Sequence, residues 1–343
     1  MKKILWLFFF LFPLLLRAQN STQIVEKESN SYIFAQIFSD FHAGFNDNVK
    51  PQAAFVFKTG IMGYKHSFKN GISGIILIDV TRTTHFTSLN DSNGNVIPLD
   101  YFEGSKYTAY LKMAEIKWTI DQHFTLRFGQ LLNTQYLTFI DRFWGFRYVD
   151  VTFQEKYRFG MPADFGIQAD YRLKDKLLLQ VSMVNGEGPF RYQDMLSKFL
   201  YSVNIQYSPV ENLTFKLYTG LESAPDTANF VKAKKISSLF AGYKGKRFGA
   251  GAEANYVKDY TYVDGVDKYG FSVYGFVNIL PKFTLLGRYD YLYQPLDDET
   301  IINNYYIVGA QYQPLNLLLA SLNFRYYSKN DWPAVYFNVG LKF

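Results

Sequence analysis

The sequence predicts an all-β protein, a 16-stranded antiparallel transmembrane β-barrel with an inward-folded third long loop. Three observations lead to this prediction. Segments of alternating apolar and polar residues follow one another along the chain, their connectors are short and long in turn, and the last strand ends on Phe343. Strands with an apolar outward face and a mixed inward face are typical of barrels in outer membranes.

The first 18 residues are predicted to be a signal peptide. Two lysines precede an apolar run over residues 4–16, and the small residue Ala18 precedes the expected cleavage point. The alternative is a membrane-anchoring helix, but a run of this length at about 1.5 Å per residue spans roughly 20 Å, less than a bilayer core of about 30 Å. We therefore expect residues 19–30 to form a short periplasmic segment and residues 31–343 to form the barrel.

Composition excludes several classes of protein. The 343 residues include no cysteine, which excludes disulfides, zinc–thiolate sites and thiol chemistry. No apolar run of membrane-spanning length follows the signal, so no helix is expected to cross a membrane. The 28 Tyr and 33 Phe residues exclude a disordered chain and favour strands. The net charge of +6 is small, and the sequence contains no block of basic residues, so no nucleic-acid partner is expected.

The connectors give the strand count. Seven have the composition of short turns and eight are generally longer and polar, so they separate sixteen strands. The short turns are 69–71, 121–123, 174–176, 208–212, 245–247, 280–282 and 314–316, and the loops are 46–51, 86–105, 135–162, 186–197, 222–234, 258–267, 294–303 and 328–333. An even strand number with short turns on one side and longer loops on the other is the arrangement of bacterial outer-membrane barrels.

The alternation also predicts the register. Tyr207 and Phe283 are expected to face lipid, and Asn204, Arg288 and Asp290 to face inward; a slip of one residue would cost about 2–4 kcal/mol for an Arg at mid-membrane depth. Segment 106–120 is less regular, because its apolar phase shifts near its centre, as a β-bulge near Met113 would explain. The alternative fold is a soluble β-sandwich. The regular hairpin rhythm, the export signal and the aromatic faces favour the barrel.

A barrel of 16 strands leaves an aqueous channel, so its function depends on what narrows that channel. The longest connector, residues 135–162, is the third long loop, and it combines many aromatic rings with charges of both signs. So much apolar surface suggests packing against the barrel wall, which would place the charges in the narrowest part of the lumen. The alternative is an extracellular flap at a subunit contact.

Three short motifs support a resemblance to a known family. They are Arg127-Phe128-Gly129-Gln130, Ala163-Asp164-Phe165-Gly166-Ile167-Gln168 and Val184-Asn185-Gly186-Glu187-Gly188. The export signal, sixteen strands, folded-in third loop and terminal Phe resemble the trimeric bacterial porins, and the motifs are similar to those of the phosphate-selective porin family. The resemblance implies a homotrimeric channel whose inward Arg and Lys residues favour anions.

The candidate channel-lining residues are all basic: Arg127, Arg142, Arg147, Lys156, Arg158, Arg172, Lys216, Arg288 and Arg325. Lys342 is a further inward cation, and the inward acidic candidates are Asp170, Glu253 and Asp290. Low-dielectric walls focus the field of such an excess, which predicts a modest anion preference. The alternative is that these charges only hydrate the wall. Arg172 with Asp170, and Arg288 with Asp290, are close enough in sequence to neutralise each other.

No catalytic, cofactor or metal site is predicted, and the protein is not expected to be an enzyme. The start of a calcium loop at Asp91 lacks the Gly and Glu that such loops need at positions six and twelve. The four histidines show no metal-ligand spacing and no pairing with a nucleophilic serine.

The predicted function is that of a porin in the bacterial outer membrane, which forms a water-filled channel for passive diffusion of small hydrophilic solutes, with a modest preference for anions, phosphate among them. The alternatives are a secretion or adhesion component and, less favoured, an outer-membrane hydrolase. The expected partners are small solutes or anions, membrane lipid and lipopolysaccharide, and the barrel-assembly machinery through Phe343. The transported solute and the oligomeric state stay open.

Overall fold

The computed structural model describes residues 29–84, 88–90, 96–98, 105–193, 198–224, 231–296 and 299–343. The predicted signal peptide, almost all of segment 19–30 and much of loop 86–105 lie outside these residues. The described barrel begins at Asn30.

The described chain contains eighteen strands and two short helices. The strands of the first half are β1 Asn30–Gly44, β2 Ala53–Ser67, β3 Ile72–Thr84, β4 Ser88–Asn90, β5 Val96–Pro98, β6 Ser105–Thr119, β7 Phe124–Leu132, β8 Ala163–Leu173 and β9 Leu177–Val184. Those of the second half are β10 Leu200–Val210, β11 Leu213–Glu222, β12 Lys234–Lys244, β13 Phe248–Lys258, β14 Lys268–Leu280, β15 Phe283–Leu296, β16 Glu299–Leu315, β17 Leu318–Tyr327 and β18 Trp332–Lys342. The helices are α1 Ile140–Trp144 and α2 Phe153–Lys156.

Sixteen of these strands form one closed antiparallel barrel, which confirms the predicted fold class and strand number. Each strand pairs with its neighbours in chain order, and β4 and β5 form a separate two-stranded sheet between β3 and β6. The barrel closes where β1 pairs with β18, and two backbone hydrogen bonds join Ala35 to Phe343 at 2.6 and 3.0 Å. The terminal Phe is therefore part of the closing contact.

The seven short turns lie at one end of the barrel and the longer connectors at the other, as predicted. The predicted loop 294–303 is the exception. β15 and β16 stay paired as far as Leu296 and Glu299, so this connection is far shorter than expected. The sequence on both sides of it, including Tyr293, Ile301 and Ile302, is rich in strand-forming residues, which extends the ladder into the polar stretch.

The register agrees with the alternation. Tyr207 and Phe283 are 46% and 40% exposed on the outer face, whereas Asn204, Arg288 and Asp290 are buried on the inner face. Stacked aromatic rings lie on the outer face at both ends of the barrel. Phe283 stacks on Tyr312 near the turns, and Tyr269 stacks on Tyr293 near the loops, with ring centroids 4.7 and 4.6 Å apart. Aromatic girdles of this kind mark the two membrane interfaces of a barrel.

Two β-bulges turn lysines inward. The bulge predicted near Met113 lies at Lys112, because Met113 pairs with Leu77 while Leu111 pairs with Ile78. A second bulge lies at Lys58, between residues that pair with Phe38 and Ser39 of β1. An extra residue in one strand shifts the alternation by one position. Both ammonium groups therefore reach partners on the inner side of the wall.

The largest apolar cluster of the molecule joins the connector between β7 and β8, residues 133–162, to the inner face of the wall. We call this connector the loop segment. It contributes Tyr136, Leu137, Ile140, Phe143, Trp144, Phe146, Tyr148 and Val149, and the wall contributes Phe38, Phe240, Tyr274, Leu286, Tyr305, Ile307 and Leu319. These contacts join the loop segment to residues of the wall, and the inward folding of the third long loop stays a prediction. Among the described residues, no helix is long and apolar enough to cross a membrane.

A charge on the outer face should destabilise the barrel. Val308 lies near the middle of β16 and is 65% exposed, so we expect Val308→Arg to lower the free energy of unfolding by about 2–4 kcal/mol, the cost of an Arg at mid-membrane depth. Urea unfolding in phospholipid vesicles measures this change, and Val308→Met, with a long unbranched apolar side chain, is the control. Equal stability of the two variants would contradict the assignment of this face to lipid.

Candidate functional site

Cations of the inner wall hold the loop segment through its backbone carbonyl oxygens. Val149 O accepts hydrogen bonds from Arg325 Nη2 at 2.9 Å and from Lys58 Nζ at 2.5 Å, on β17 and β2. Lys216 Nζ on β11 donates to Gln135 O at 2.8 Å. In the strand order, β11 lies six strands from β17 and seven from β2, so strands from different parts of the barrel bind the start and the middle of the segment.

Further anchors fix the two short helices. Arg288 on β15 donates to Val151 O just before α2, and Lys268 on β14 donates to the carbonyl of Tyr157 just after it. Lys244 Nζ donates to the carbonyl oxygens at the end of α1, those of Arg142 and Phe143, at 3.1 and 2.9 Å. A cation at a helix C-terminus satisfies carbonyls that have no partner within the helix.

Glycines on the inner face make room for the aromatic side chains of the segment. A Cβ at Gly340 would lie 2.9 Å from Cβ of Tyr148, and one at Gly270 would lie 2.6 Å from the ring of Phe153. Real Cβ atoms do not approach other atoms so closely, so any larger residue would displace the segment or the strand. The wall is therefore shaped to receive the loop segment.

The segment carries two ion-paired clusters. Arg147 Nη1 contacts Asp141 Oδ1 at 2.8 Å, and the two η nitrogens of Arg147 contact Glu155 at 2.5 and 2.6 Å. Burial acts to raise the pKa of Glu155, but the Arg147 guanidinium outweighs it and lowers the pKa, with a further contribution from Lys112 of β6. The cluster therefore lies within electrostatic range of the β6 wall.

The second cluster is centred on Asp150. Its Oδ2 contacts Lys156 Nζ at 2.7 Å and accepts a hydrogen bond from Tyr305 Oη at 2.7 Å. Burial acts to raise the pKa of Asp150, but Lys156, Lys58 and Arg325 outweigh it and hold the pKa well below its usual range. Asp150 thus stays ionised and joins the segment to Tyr305 of β16.

The wall formed by β3, β6, β7 and β8 provides none of these anchors and carries its own charge pairs. Lys112 Nζ lies 2.6 Å from Asp79 Oδ2, which also accepts from Tyr110 Oη at 3.2 Å. Arg127 bridges Glu115 and Asp170, each at 2.8 Å. The loop segment and this wall therefore present charges of both signs to each other.

The structure divides the nine candidate residues into three groups. Lys216, Arg288 and Arg325 anchor the loop segment, while Arg127, Arg147 and Lys156 are ion-paired. Arg142 and Arg158 are exposed on the loop segment, and Arg172 is exposed at the turn end of β8. The expected neutral pair Arg288–Asp290 forms, with a contact of 2.7 Å. The expected pair of Arg172 with Asp170 is replaced by Arg127, because Arg172 lies beyond the buried part of its strand.

Several interior charges were not predicted from the sequence: Lys58, Asp79, Lys112, Glu115, Lys244 and Lys268. The two bulges explain why Lys58 and Lys112 were missed. Strict alternation without a bulge, carried back from the residues that follow each lysine, would place both side chains on the outer face. Asp79 could have been found, because it alternates correctly with the outward residues Ile76 and Ile78. Lys268 and Lys244 lie at strand ends, where the pattern is short.

Two cavities flank the loop segment. The loop-side cavity, of about 470 Å³, has charged lining residues of both signs: Arg158, Arg191, Lys234, Asp164, Glu187 and Glu222. The turn-side cavity, of about 790 Å³, has five cationic lining residues, Lys244, Lys246, Arg247, Lys282 and Lys342, and no acidic one. No group of three or more His, Asp or Glu residues within the described part of the chain could hold a metal ion.

Comparison with known proteins identifies the class of protein that this architecture defines. The family described as "Putative beta-barrel porin-2, OmpL-like" matches residues 158–336, more than half of the chain. The chain belongs to this family: it is a porin-like β-barrel channel of the bacterial outer membrane. The match supports a general porin and does not extend to the phosphate-selective family that the motifs resemble. No curated protein matches the chain.

Solved structures with the same fold are porins and outer-membrane channels. OmpF of Salmonella typhi, in complex with daunomycin, has a TM-score of 0.63 at 9% identity, covering 91% of this chain and 97% of that chain. The channel DcaP of Acinetobacter baumannii has a TM-score of 0.60 at 14% identity, covering 92% and 97%. OprB of Pseudomonas putida, at low pH, has a TM-score of 0.58 at 12% identity, covering 91% and 92%. At such identities the likeness concerns the fold.

Removal of the Asp150 carboxylate should loosen the loop segment. We expect Asp150→Asn to lower the free energy of unfolding by about 3–5 kcal/mol at pH 7, because Lys156 is left buried without its counter-ion. The folded pKa of Asp150 lies below its unfolded value, so its contribution is present above about pH 4 and is lost as the pH falls through the folded pKa.

Thermal unfolding at pH 7 and at low pH measures both effects, and limited proteolysis reports on the segment. The variant should lose less stability than the native chain on acidification. Asp175→Asn, in an exposed turn, is the control and should change little. A native chain and an Asp150→Asn variant with the same stability at pH 7 would show that this ion pair does not hold the segment.

Proposed function

We propose that this protein is a porin whose water-filled channel allows passive diffusion of small hydrophilic solutes across the outer membrane. The observation that carries the proposal is a closed barrel of sixteen strands with polar residues on its inner face, in a chain that belongs to a porin family. A barrel of this size is too wide to be filled by its own side chains. The family and the fold support a channel rather than an enzyme.

The loop segment is the proposed constriction. Strands β2, β11, β14, β15 and β17 anchor it, whereas no such anchor comes from the described residues of β3, β6, β7 and β8. Solutes would pass between this wall and the cluster of Arg147, Asp141 and Glu155. Charges of both signs at a narrow passage act on the dipole of a solute as well as on its net charge.

A modest anion preference is part of the proposal. Lys216, Lys244, Lys268 and Arg325 make hydrogen bonds only to neutral oxygen atoms among the described residues. Two buried carboxylates, Glu253 and Asp164, are held by amide groups in the same way. The remaining excess of positive charge is small, so any selectivity should be weak and salt-dependent. Phosphate is one anion that such a field would favour.

The further partners are also proposals. A homotrimer agrees with the porin architecture, and one similar structure, OmpT of Vibrio cholerae, is described as a trimer form. The exposed apolar band is expected to contact membrane lipid, and the polar loops to contact lipopolysaccharide. Phe343, 60% exposed beside the closing strands, is the proposed recognition element for the barrel-assembly machinery.

Deletion of the constriction should widen the channel. We expect removal of residues 135–162, with a short Gly/Ser connection, to raise the single-channel conductance severalfold and to weaken discrimination between solutes. Planar-bilayer recording measures the conductance, and the heat-dependent mobility of the barrel in detergent gels verifies folding. A correctly folded deletion variant with native conductance would place the constriction elsewhere.

The charge of the constriction should be visible in the ion selectivity. At low ionic strength we expect the zero-current potential across a salt gradient to indicate anion preference that fades as salt rises. Arg147→Gln leaves Asp141 and Glu155 without their counter-ion, so the potential should shift towards cations. Lys176→Gln, in an exposed turn, should leave it unchanged. A cation-selective native channel would contradict the proposed preference.

A further inference from the structure

The turn-side cavity lies between the end of α1 and the short turns of the barrel. Its inner boundary is the stretch from Trp144 to Phe146 of the loop segment. Its outer boundary is formed by residues of the turns that follow β12, β14 and β16, among them Lys246, Pro281 and Asn316. In outer-membrane barrels the short turns lie on the periplasmic side. A solute leaving the constriction on that side would enter this cavity.

The charge of this cavity differs from that of the loop-side cavity. Its five cationic lining residues are accompanied by no acidic lining residue, whereas the loop-side cavity carries three charges of each sign. In the loop-side cavity, Lys234 and Glu222 neutralise each other at 2.7 Å. The charged lining residues therefore sum to a net positive charge in the turn-side cavity and to no net charge in the loop-side cavity.

Two of the five cationic side chains, Lys244 and Lys342, have surroundings that would let them hold an anion. Lys244 is fixed by hydrogen bonds to two carbonyl oxygens of α1, which leaves one of its three N–H donors available. Lys342 is half-buried, and its Nζ lies 5.8 Å from the ring centre of Phe38. Neither makes an ion pair with a carboxylate of the described residues.

The wall beside these cations is apolar. Phe146 and Phe276 pack edge to face, with ring centres 5.7 Å apart, and Leu280 and Leu319 extend the apolar lining. An inorganic anion would use only the charges of this cavity. An anion with an apolar body would use both the charges and the apolar lining, and would gain from the burial of its hydrocarbon surface.

We propose that the turn-side cavity is a binding site for organic anions with an apolar body, namely aromatic or aliphatic carboxylates. The carboxylate lies among Lys244, Lys342 and Arg247, and the apolar body lies against Phe276 and Leu319. The proposal rests on the proposed function, because the ligand reaches the cavity through an open channel.

The test uses sodium benzoate as the probe in single-channel recordings of the full-length protein. Benzoate should block the ion current more strongly when it is added on the turn side than on the loop side. Benzyl alcohol lacks the charge and phosphate lacks the apolar body, so both should block more weakly. Equal block by benzoate and benzyl alcohol, or by benzoate from both sides, would overturn the site.

A charge-exchange experiment assigns the block to this cavity. The native chain has no cysteine, so Lys342→Cys provides a single thiol that reagents can modify within one folded channel. The unmodified variant should bind benzoate about fivefold more weakly than the native channel does. After modification with a sulfonate-bearing thiol reagent, benzoate binding should be weaker than in the native channel on the order of 25-fold. A trimethylammonium-bearing reagent should restore most of the native block.

The same reagents on Lys176→Cys, in an exposed turn that does not line the cavity, should not change the block. A Lys342→Cys channel whose block is the same with either reagent would reject the site. Rejection of the binding site can be told apart from failure of the proposed function. A protein that gives no conductance at all contradicts the porin assignment, whereas a conducting channel with charge-independent block contradicts only the binding site.

Discussion

Closure of the sheet by β1 against β18 is the constraint on which the rest of the molecule depends. A strand edge in hydrocarbon would leave its N–H and C=O groups without partners, at a cost of several kcal/mol each. The pairing of residues 36–44 with 334–342, extended by the bonds between Ala35 and Phe343, removes both edges at once. It also fixes the circumference at sixteen strands, and with it an interior that wall side chains alone do not fill.

The loop segment packs against the wall of the interior that closure leaves unfilled. Its aromatic residues supply the apolar packing that the wide interior lacks, and the wall supplies cations for its backbone carbonyl oxygens. Many of the basic residues that alternation points inward are therefore structural. Arg325 and Arg288 hold backbone oxygens, and Arg147 neutralises two carboxylates. A count of inward charges thus overstates the field that a passing ion experiences.

The sequence was sufficient for the barrel and insufficient for the site, for physical reasons. Strand number and register follow from local alternation, which each hairpin repeats, so Asn204 and Arg288 could be placed correctly without any knowledge of their neighbours. The partners of the charges are non-local. Arg127 pairs with Glu115 and Asp170 from two adjacent strands, and nothing near Arg127 in the sequence selects it over Arg172. The bulge at Lys58 and the pairing of β15 with β16 as far as Leu296 and Glu299 are local departures that a periodic pattern does not contain.

The anchoring of the loop segment also explains why the two ends of the lumen differ in charge. The carboxylates of the segment, Asp141, Asp150 and Glu155, are each paired with a cation of the segment itself. None of them forms an ion pair with Lys244 or Lys342 among the described residues. Lys244 binds neutral carbonyls at the end of α1, and Lys342 faces an aromatic ring, so their charge persists on the turn side. In a narrow, low-dielectric passage such a difference acts along the axis of transport. Under the proposed function, we therefore expect the ion selectivity to depend on the cations of the turn side as well as on the charges of the constriction.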